Sequence, residues 1–293
     1  MKRFLVLMLS LLLVGCSTDK SETKVLKIIT PKGAPALSML FVEGDISYVD
    51  GSDVISAALL KPNPEYDVII APLNLGAKII SGSNSEYLLY GVVTWGNLYY
   101  VENTQATNDK IALFGEGAVP QMIVENTLDL PMSKVTYYPS VVEAQAALLS
   151  GKVRYALLAE PVYSATVIKA QKNGIEVSLV YDLQEKWSEI KGVTNYPQAA
   201  VFYRKSSYEN LKDEFEQLNR SLNQINDYPS NRDEITEKID ENYEMYGVPS
   251  SEVVLKAWEN MNLGFVEASE CETEIKTFLE LFNISDISDY FIK

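Results

Sequence analysis

The chain has 293 residues, 47% of them hydrophobic, and carries 25 Lys and Arg against 40 Asp and Glu, a formal charge of −15. Such acidity repels phosphate backbones and anionic lipid heads, so nucleic acid is not an expected partner. Histidine is absent, which removes the usual general base, the Ser-His and Cys-His pairs and the commonest transition-metal ligand; no metal and no cofactor is expected.

Residues 1–17 read MKRFLVLMLSLLLVGCS: two positive charges, an apolar run from Phe4 to Val14, then Gly15 and Cys16. The run is shorter than the roughly 20 residues a membrane-spanning helix needs, and a small residue before a cysteine marks a bacterial lipoprotein cleavage site. The expected signal peptide is 1–15, with Cys16 as the lipidated N-terminus and 16–23 as a polar tether. Two or more acyl chains, at about 0.8 kcal/mol per buried methylene, anchor stably where one does not. The mature chain is then extracytoplasmic and works without ATP. Cys271 is the one other cysteine, so no internal disulfide is expected, and the acids Glu270 and Glu272 beside it raise the thiol pKa.

Beyond the tether, the sequence alternates between strand and helix patterns. Residues 25–30, 45–49 and 66–71 read as strands, with helices over 36–42 and 52–60 between them. The third strand, Tyr-Asp-Val-Ile-Ile-Ala, is almost continuously apolar, as a strand covered on both faces should be. The pattern repeats with strands at 110–114, 135–138, 153–159 and 175–181 and helices at 121–130, 141–149 and 161–172. Ser140 and Glu143 form a capping-box pattern at the start of the second of these helices. Right-handed crossovers and a doubly wound sheet follow from this alternation. After about Ala199 the chain turns helical. Ser206 opens a long amphipathic helix with the stripe Leu211, Phe215, Leu218, Leu222 and Ile225, and further helices start near 230, 253 and 275.

Four segments carry a family resemblance: Thr30-Pro-Lys-Gly-Ala-Pro-Ala-Leu37, Tyr66-Asp-Val-Ile-Ile-Ala-Pro-Leu-Asn74, Glu143-Ala-Gln-Ala-Ala-Leu-Leu-Ser-Gly-Lys-Val153 and Ala156-Leu-Leu-Ala-Glu-Pro161. In this order, over nearly the whole mature chain, they resemble the substrate-binding proteins of ABC importers of the nitrate/sulfonate/taurine type, which have the type II periplasmic-binding-protein fold. Arg154 departs from the pattern, since the group often has an Asp there. The resemblance implies two doubly wound α/β lobes joined by a two-segment hinge: lobe one at 24–101 plus 199–293, lobe two at 102–198, and crossovers at 101–104 and 196–198. It also implies a monomer that closes over a small-molecule solute and delivers it to an ABC permease.

In open α/β sheets a ligand lies beyond the C-terminal ends of the strands. That rule selects Lys32, Gly33 and Ala34; Pro72 and Asn74; Glu116, Gly117 and Ala118; and Ser140 and Val141. Helix N-termini there favour an acceptor group by about 0.3–1 kcal/mol each. Gly115-Glu-Gly117 lacks the third glycine of a dinucleotide fingerprint, and no glycine-rich run precedes Gly151-Lys152. Lys32, Glu116 and Glu160 are the charges expected at the cleft, and with no arginine beside them they suit a polar, zwitterionic or cationic solute better than a bare oxyanion. Trp95, Asn97, Tyr163 and Tyr196 add hydrogen-bonding and stacking groups for a planar heterocycle or a cation, with Trp187 a weaker candidate and Trp258 assigned to the core. Two other readings compete with the solute receptor. One is an enzyme on the same scaffold, like a menaquinone-pathway dehydratase with Glu116 or Glu160 as base. The other is a sensory surface lipoprotein without a transporter.

Overall fold

The computed structural model describes residues 24–83 and 85–285. The signal peptide, Cys16 and the tether lie outside the described residues. In chain order come β1 (Lys27–Pro31), α1 (Ala34–Leu37), β2 (Asp45–Val49), α2 (Ser52–Leu60), β3 (Val68–Pro72) and α3 (Leu73–Gly82). Then β4 (Tyr87–Trp95) and β5 (Leu98–Asn103) run on with Gly96 and Asn97 between them. They lead to β6 (Ile111–Phe114), α4 (Val119–Thr127), β7 (Val135–Tyr138), α5 (Val141–Leu149), β8 (Tyr155–Ala159), α6 (Val162–Lys172), β9 (Val177–Asp182) and α7 (Leu183–Lys191). The remainder is β10 (Pro197–Arg204), α8 (Lys205–Asn210), α9 (Lys212–Asn223), α10 (Tyr228–Tyr246), α11 (Ser251–Met261), β11 (Leu263–Glu267) and α12 (Glu272–Leu279).

These strands build two sheets, β11-β4-β10-β3-β1-β2 and β7-β6-β8-β5-β9. Both are mixed. The strand–helix alternation accounts for the parallel pairs, β1 with β2 and β3, and β6 with β7 and β8. The antiparallel members, β10 on β3 and β4, β11 on β4, and β5 on β8 and β9, interrupt that rhythm. Because β5 belongs to the second sheet, the first crossover falls at Gly96 and Asn97, ahead of the 101–104 expected. The second, between α7 and β10, ends beside Tyr196, close to the expected place.

Two helices differ from expectation. The helix expected at 36–42 is the single turn α1 followed by further turns, and the long helix expected from Ser206 is broken at Leu211 (φ −130°, ψ 44°) into α8 and α9. The apolar stripe survives the break: Phe215, Leu218, Leu222 and Ile225 are all buried. Ser140 does cap α5, its Oγ accepting the Glu143 N–H at 3.2 Å.

Registry shows how the sheets meet. Trp95 ends β4, and three residues later Leu98 pairs with Ala159, the last residue of β8. Pro197 pairs with Trp95 and Ala199 with Pro72, the end of β3. The C-terminal edges of the parallel strands in the two sheets therefore meet at the crossover. On one face a single apolar cluster runs through both sheets, from Ile69, Phe202 and Phe278 to Leu113, Leu157 and Trp187. The opposite faces have separate cores, under α9 (Phe215, Leu218), under α10 and α11 (Ile239, Trp258), and under α5 (Leu148, Leu158). At about 1.5–3 kcal/mol per fully buried large aliphatic or aromatic side chain, the shared cluster joins the two sheets on one face.

Cys271 is 3% exposed, its thiol donates to the Glu267 carbonyl oxygen at 3.4 Å, and burial, with smaller help from Glu274 and Glu270, pushes its pKa up to about 12. It is a passive helix-start residue, as its acidic flanks suggested, although burial does more than the acids.

Gly96 holds the crossover together. Its N–H donates to the Tyr196 carbonyl at 2.8 Å, and its own carbonyl accepts the Asn262 side-chain N–H at 2.6 Å. A Cβ here would lie 2.5 Å from the Tyr196 ring and 2.6 Å from Asn195 Oδ1. The Tyr196 ring cannot retreat, being fully buried between Trp187 and Phe278. Gly96→Ala is expected to lower stability by about 1–3 kcal/mol, as overpacking does, read as a lower urea midpoint; an unchanged midpoint would contradict this packing.

Candidate functional site

The β8–α6 corner is where the two lobes touch through polar groups. Glu160 follows β8 and precedes α6, whose N-cap Pro161 offers no side-chain acceptor. The Glu160 carboxylate takes that role, accepting the Ser164 N–H at 3.0 Å and the Ser164 hydroxyl at 2.8 Å. A carboxylate at a helix N-terminus is favoured by the local dipole. Glu160 Oε1 also accepts the Asn260 side-chain N–H at 3.4 Å from the last turn of α11, and the Tyr99 hydroxyl donates to the Asn260 carbonyl at 2.8 Å. The Tyr163 ring stacks on Tyr99 at 4.7 Å, and the Glu160 N–H donates to the Asn97 carbonyl at 3.1 Å.

Three of the expected residues, Asn97, Glu160 and Tyr163, are thus brought together. Tyr99, Ser164 and Asn260 join them without having been foreseen. Asn262, with φ 48°, ends α11 in the left-handed conformation; an Asn-Leu-Gly sequence after an amphipathic run signals such a cap and could have found this corner.

The other expected residues sit as follows. Gly33 adopts φ 90° and donates its N–H to the Tyr246 carbonyl at 2.7 Å, so that amide is already engaged, and Ala34 is buried in α1. Lys32 pairs with exposed Asp50 at 3.0 Å, a contact worth at most about 1 kcal/mol. Pro72 ends β3 and caps α3. In the first turn of α3 the Asn74 Oδ1 is buried and has no hydrogen-bond partner among the described residues. Glu116, Gly117 and Ala118 form an exposed turn before α4 in which the Gly117 N–H donates to Gln121 Oε1 at 2.7 Å. Ser140 and Val141 are half-buried at the start of α5.

Two of the aromatic side chains are not placed to meet a solute. Tyr196 is 0% exposed and belongs to the shared core, with its hydroxyl donating to Gln184 Oε1 at 2.8 Å. Trp187 is likewise fully buried. Their sequence positions beside a crossover did not reveal that the chain folds both rings inward, Tyr196 lying between Trp187 and Phe278. Trp95 is half-buried, and its indole N–H is engaged by the Gly264 carbonyl at 3.1 Å. Arg154 pairs with Glu102 at 2.5 Å. Among the described residues no group of three or more His, Cys, Asp or Glu could hold a metal ion, and no helix is long and apolar enough to cross a membrane.

Burial holds the Glu160 carboxyl above the ordinary carboxylate range, against the opposing pull of Ser164 and Asn260. Between the ordinary and the raised value the folded chain therefore binds more protons than the unfolded one, and stability falls as pH rises through that window. Glu160→Gln cannot ionise. In urea titrations from about pH 4 to 7, the wild type is expected to lose stability relative to this variant as pH rises; parallel profiles would contradict the burial of an ionising carboxyl.

No protein-family model matches the sequence, and no curated protein matches it significantly. Solved structures do. An ABC transporter protein from Parabacteroides distasonis superposes with a TM-score of 0.72 at 21% identity, covering 88% of this chain and 92% of that one. The periplasmic aliphatic sulphonate-binding protein SsuA from Escherichia coli gives 0.67 at 14% identity, with 92% of each chain covered. The periplasmic nitrate-binding protein NrtA from Synechocystis PCC 6803 gives 0.58 at 11% identity, covering 90% and 82%. The chain therefore has the two-sheet α/β fold shared by ABC-transporter substrate-binding proteins of the sulphonate and nitrate kind.

Proposed function

We propose that this chain is an extracytoplasmic, lipid-anchored solute-binding protein that captures a small polar or heterocyclic molecule and delivers it to an ABC importer without changing it. The observation that carries this reading is the way the two sheets meet. Their C-terminal edges converge on a two-residue crossover, and on the open face the lobes are held by a few side-chain hydrogen bonds, chiefly those of Asn260. At about 0.5–1.5 kcal/mol net each, such bonds are weak enough to exchange for contacts to a solute. A ligand touching loops of both lobes would then select the closed arrangement. The shared fold agrees with this, as does the lipoprotein signal at Cys16. Two of the named neighbours bind an aliphatic sulphonate and nitrate, whereas the candidate loops here contain no arginine, their one lysine is paired with Asp50, and Glu116 and Glu160 lie among them. A cationic, zwitterionic or neutral N–H donor suits them better, and the unpartnered Asn74 Oδ1 in the first turn of α3 supports a donor there.

Melting curves with sulphonates, thiamine-precursor pyrimidines, amino acids and polyamines test the reading. The right solute is expected to stabilise the protein by about 2.7 kcal/mol at a hundredfold excess over its Kd. Asn74→Leu is expected to abolish that gain without lowering the stability of the free protein. No response to any class, or recovery of a chemically altered solute, would overturn it. Mass spectrometry of protein extracted from membranes is expected to find a mature chain beginning at acylated Cys16; an unmodified or uncleaved N-terminus would remove the lipid anchor from the account.

A further inference from the structure

A cavity of about 500 Å³ opens on the α9 side of the first sheet, a size ordinary for a small-molecule site. Tyr208 and Phe215 line it from either side of the break at Leu211, Tyr90 lines it from β4, and the turn after β11 borders it. The three rings form one aromatic wall, with centroids 6.5 Å apart for Tyr90 and Tyr208, 6.2 Å for Tyr90 and Phe215, and 5.1 Å for Tyr208 and Phe215. None of the lining residues belongs to the interlobe corner or to the candidate solute loops.

The polar groups of the lining do not satisfy one another. Asn219 Nδ2 donates to Glu267 Oε1 at 2.7 Å and to the Tyr90 hydroxyl oxygen at 3.2 Å. A carboxylate only accepts, so Glu267 fixes which end of the Asn219 amide is nitrogen and makes Tyr90 the acceptor in that second bond. Tyr90 is 7% exposed, and burial holds its pKa above the ordinary tyrosine range, so the hydroxyl keeps its hydrogen. That hydrogen finds no acceptor among the described residues, and an unmet buried donor is costly. The charges lean the same way. Glu267 is engaged by Asn219, Lys212 has no ion pair among the described residues, and Arg220 has only an exposed Glu216 at 3.7 Å. The lining therefore lacks an anionic acceptor that also presents a ring to the aromatic wall.

We propose that this cavity binds a small aromatic carboxylic acid, whose ring packs against Tyr90, Tyr208 and Phe215 and whose carboxylate accepts the Tyr90 hydroxyl hydrogen while Lys212 and Arg220 supply the opposing charge. The lining comes from β4, the turn after β11 and the helices that follow β10, so binding there needs nothing from the second sheet.

Isothermal titration of the full mature protein with indole-3-acetate, indole and acetate tests this. Indole-3-acetate is expected to bind, and indole, which has the ring without the charge, and acetate, which has the charge without the ring, are each expected to bind about tenfold more weakly or less. Tyr90→Phe keeps the ring, removes the donor and is expected to weaken indole-3-acetate by about tenfold. The double variant Lys212→Gln, Arg220→Gln, at exposed positions outside the core, is expected to weaken it by about tenfold at low salt and by less as salt is added; it keeps the test decisive should Tyr90→Phe fold poorly. Asn74→Leu is expected to leave indole-3-acetate binding unchanged, so a failure of the cleft reading is distinguishable from a failure of this one. No binding of indole-3-acetate, equal binding of indole or of acetate, undiminished affinity in the double variant, or loss of binding in Asn74→Leu would each overturn the proposal.

Discussion

Three stretches of chain converge on Gly96, and the arrangement of both lobes depends on that meeting. Its N–H binds the end of the second crossover at Tyr196, its carbonyl binds Asn262 at the head of β11, and its missing side chain makes room for the Tyr196 ring. The first and second connections between lobes are thereby pinned to one another within a single residue. Everything to one side, including the Trp187, Tyr196 and Phe278 rings, belongs to an apolar core common to both sheets. On the other side each sheet keeps its own apolar cores, and the hydrogen bonds of Asn260 link the two.

That asymmetry sets different costs for parting the two faces. Dispersing a continuous apolar core is expensive in proportion to the area exposed, whereas exchanging a handful of hydrogen bonds with water is nearly neutral. Exposing the polar face therefore costs less than exposing the apolar one. Glu160 sits where this matters most: it caps α6 in one lobe, reaches Asn260 in the other, and bears the cost of burial in its raised pKa. At 3.4 Å the Asn260 contact is the longest of the bonds that carboxylate accepts.

Much of this was legible in the sequence where period and composition speak for themselves. β2, α2, β7 and α5 fall on the expected residues because their apolar spacing and the Ser140 cap are local signals. The antiparallel strands were harder. From Tyr87 to Val101 the chain is apolar with no helix between β4 and β5, so the alternation that marks the other strands is missing, and the crossover was expected too late. Of the site, Glu160, Asn97 and Tyr163 could be named from their place after parallel strands or beside a crossover. Asn260 reaches Glu160 from 100 residues along the chain, a separation no local pattern encodes. Tyr196 shows the converse failure: a tyrosine next to a crossover looks like a ligand contact until the ring is seen to fill the core.

Lobe movement is the claim on which the rest stands, and a distance measured between spin labels at Asp53 in α2 and Glu143 in α5 tests it most directly. Both residues are exposed, in the first turns of helices that follow parallel strands of different sheets. Adding the stabilising solute should shorten the distance, and removing it should restore the longer one, with the solute recovered intact. A distance distribution that is the same with and without solute would contradict the account.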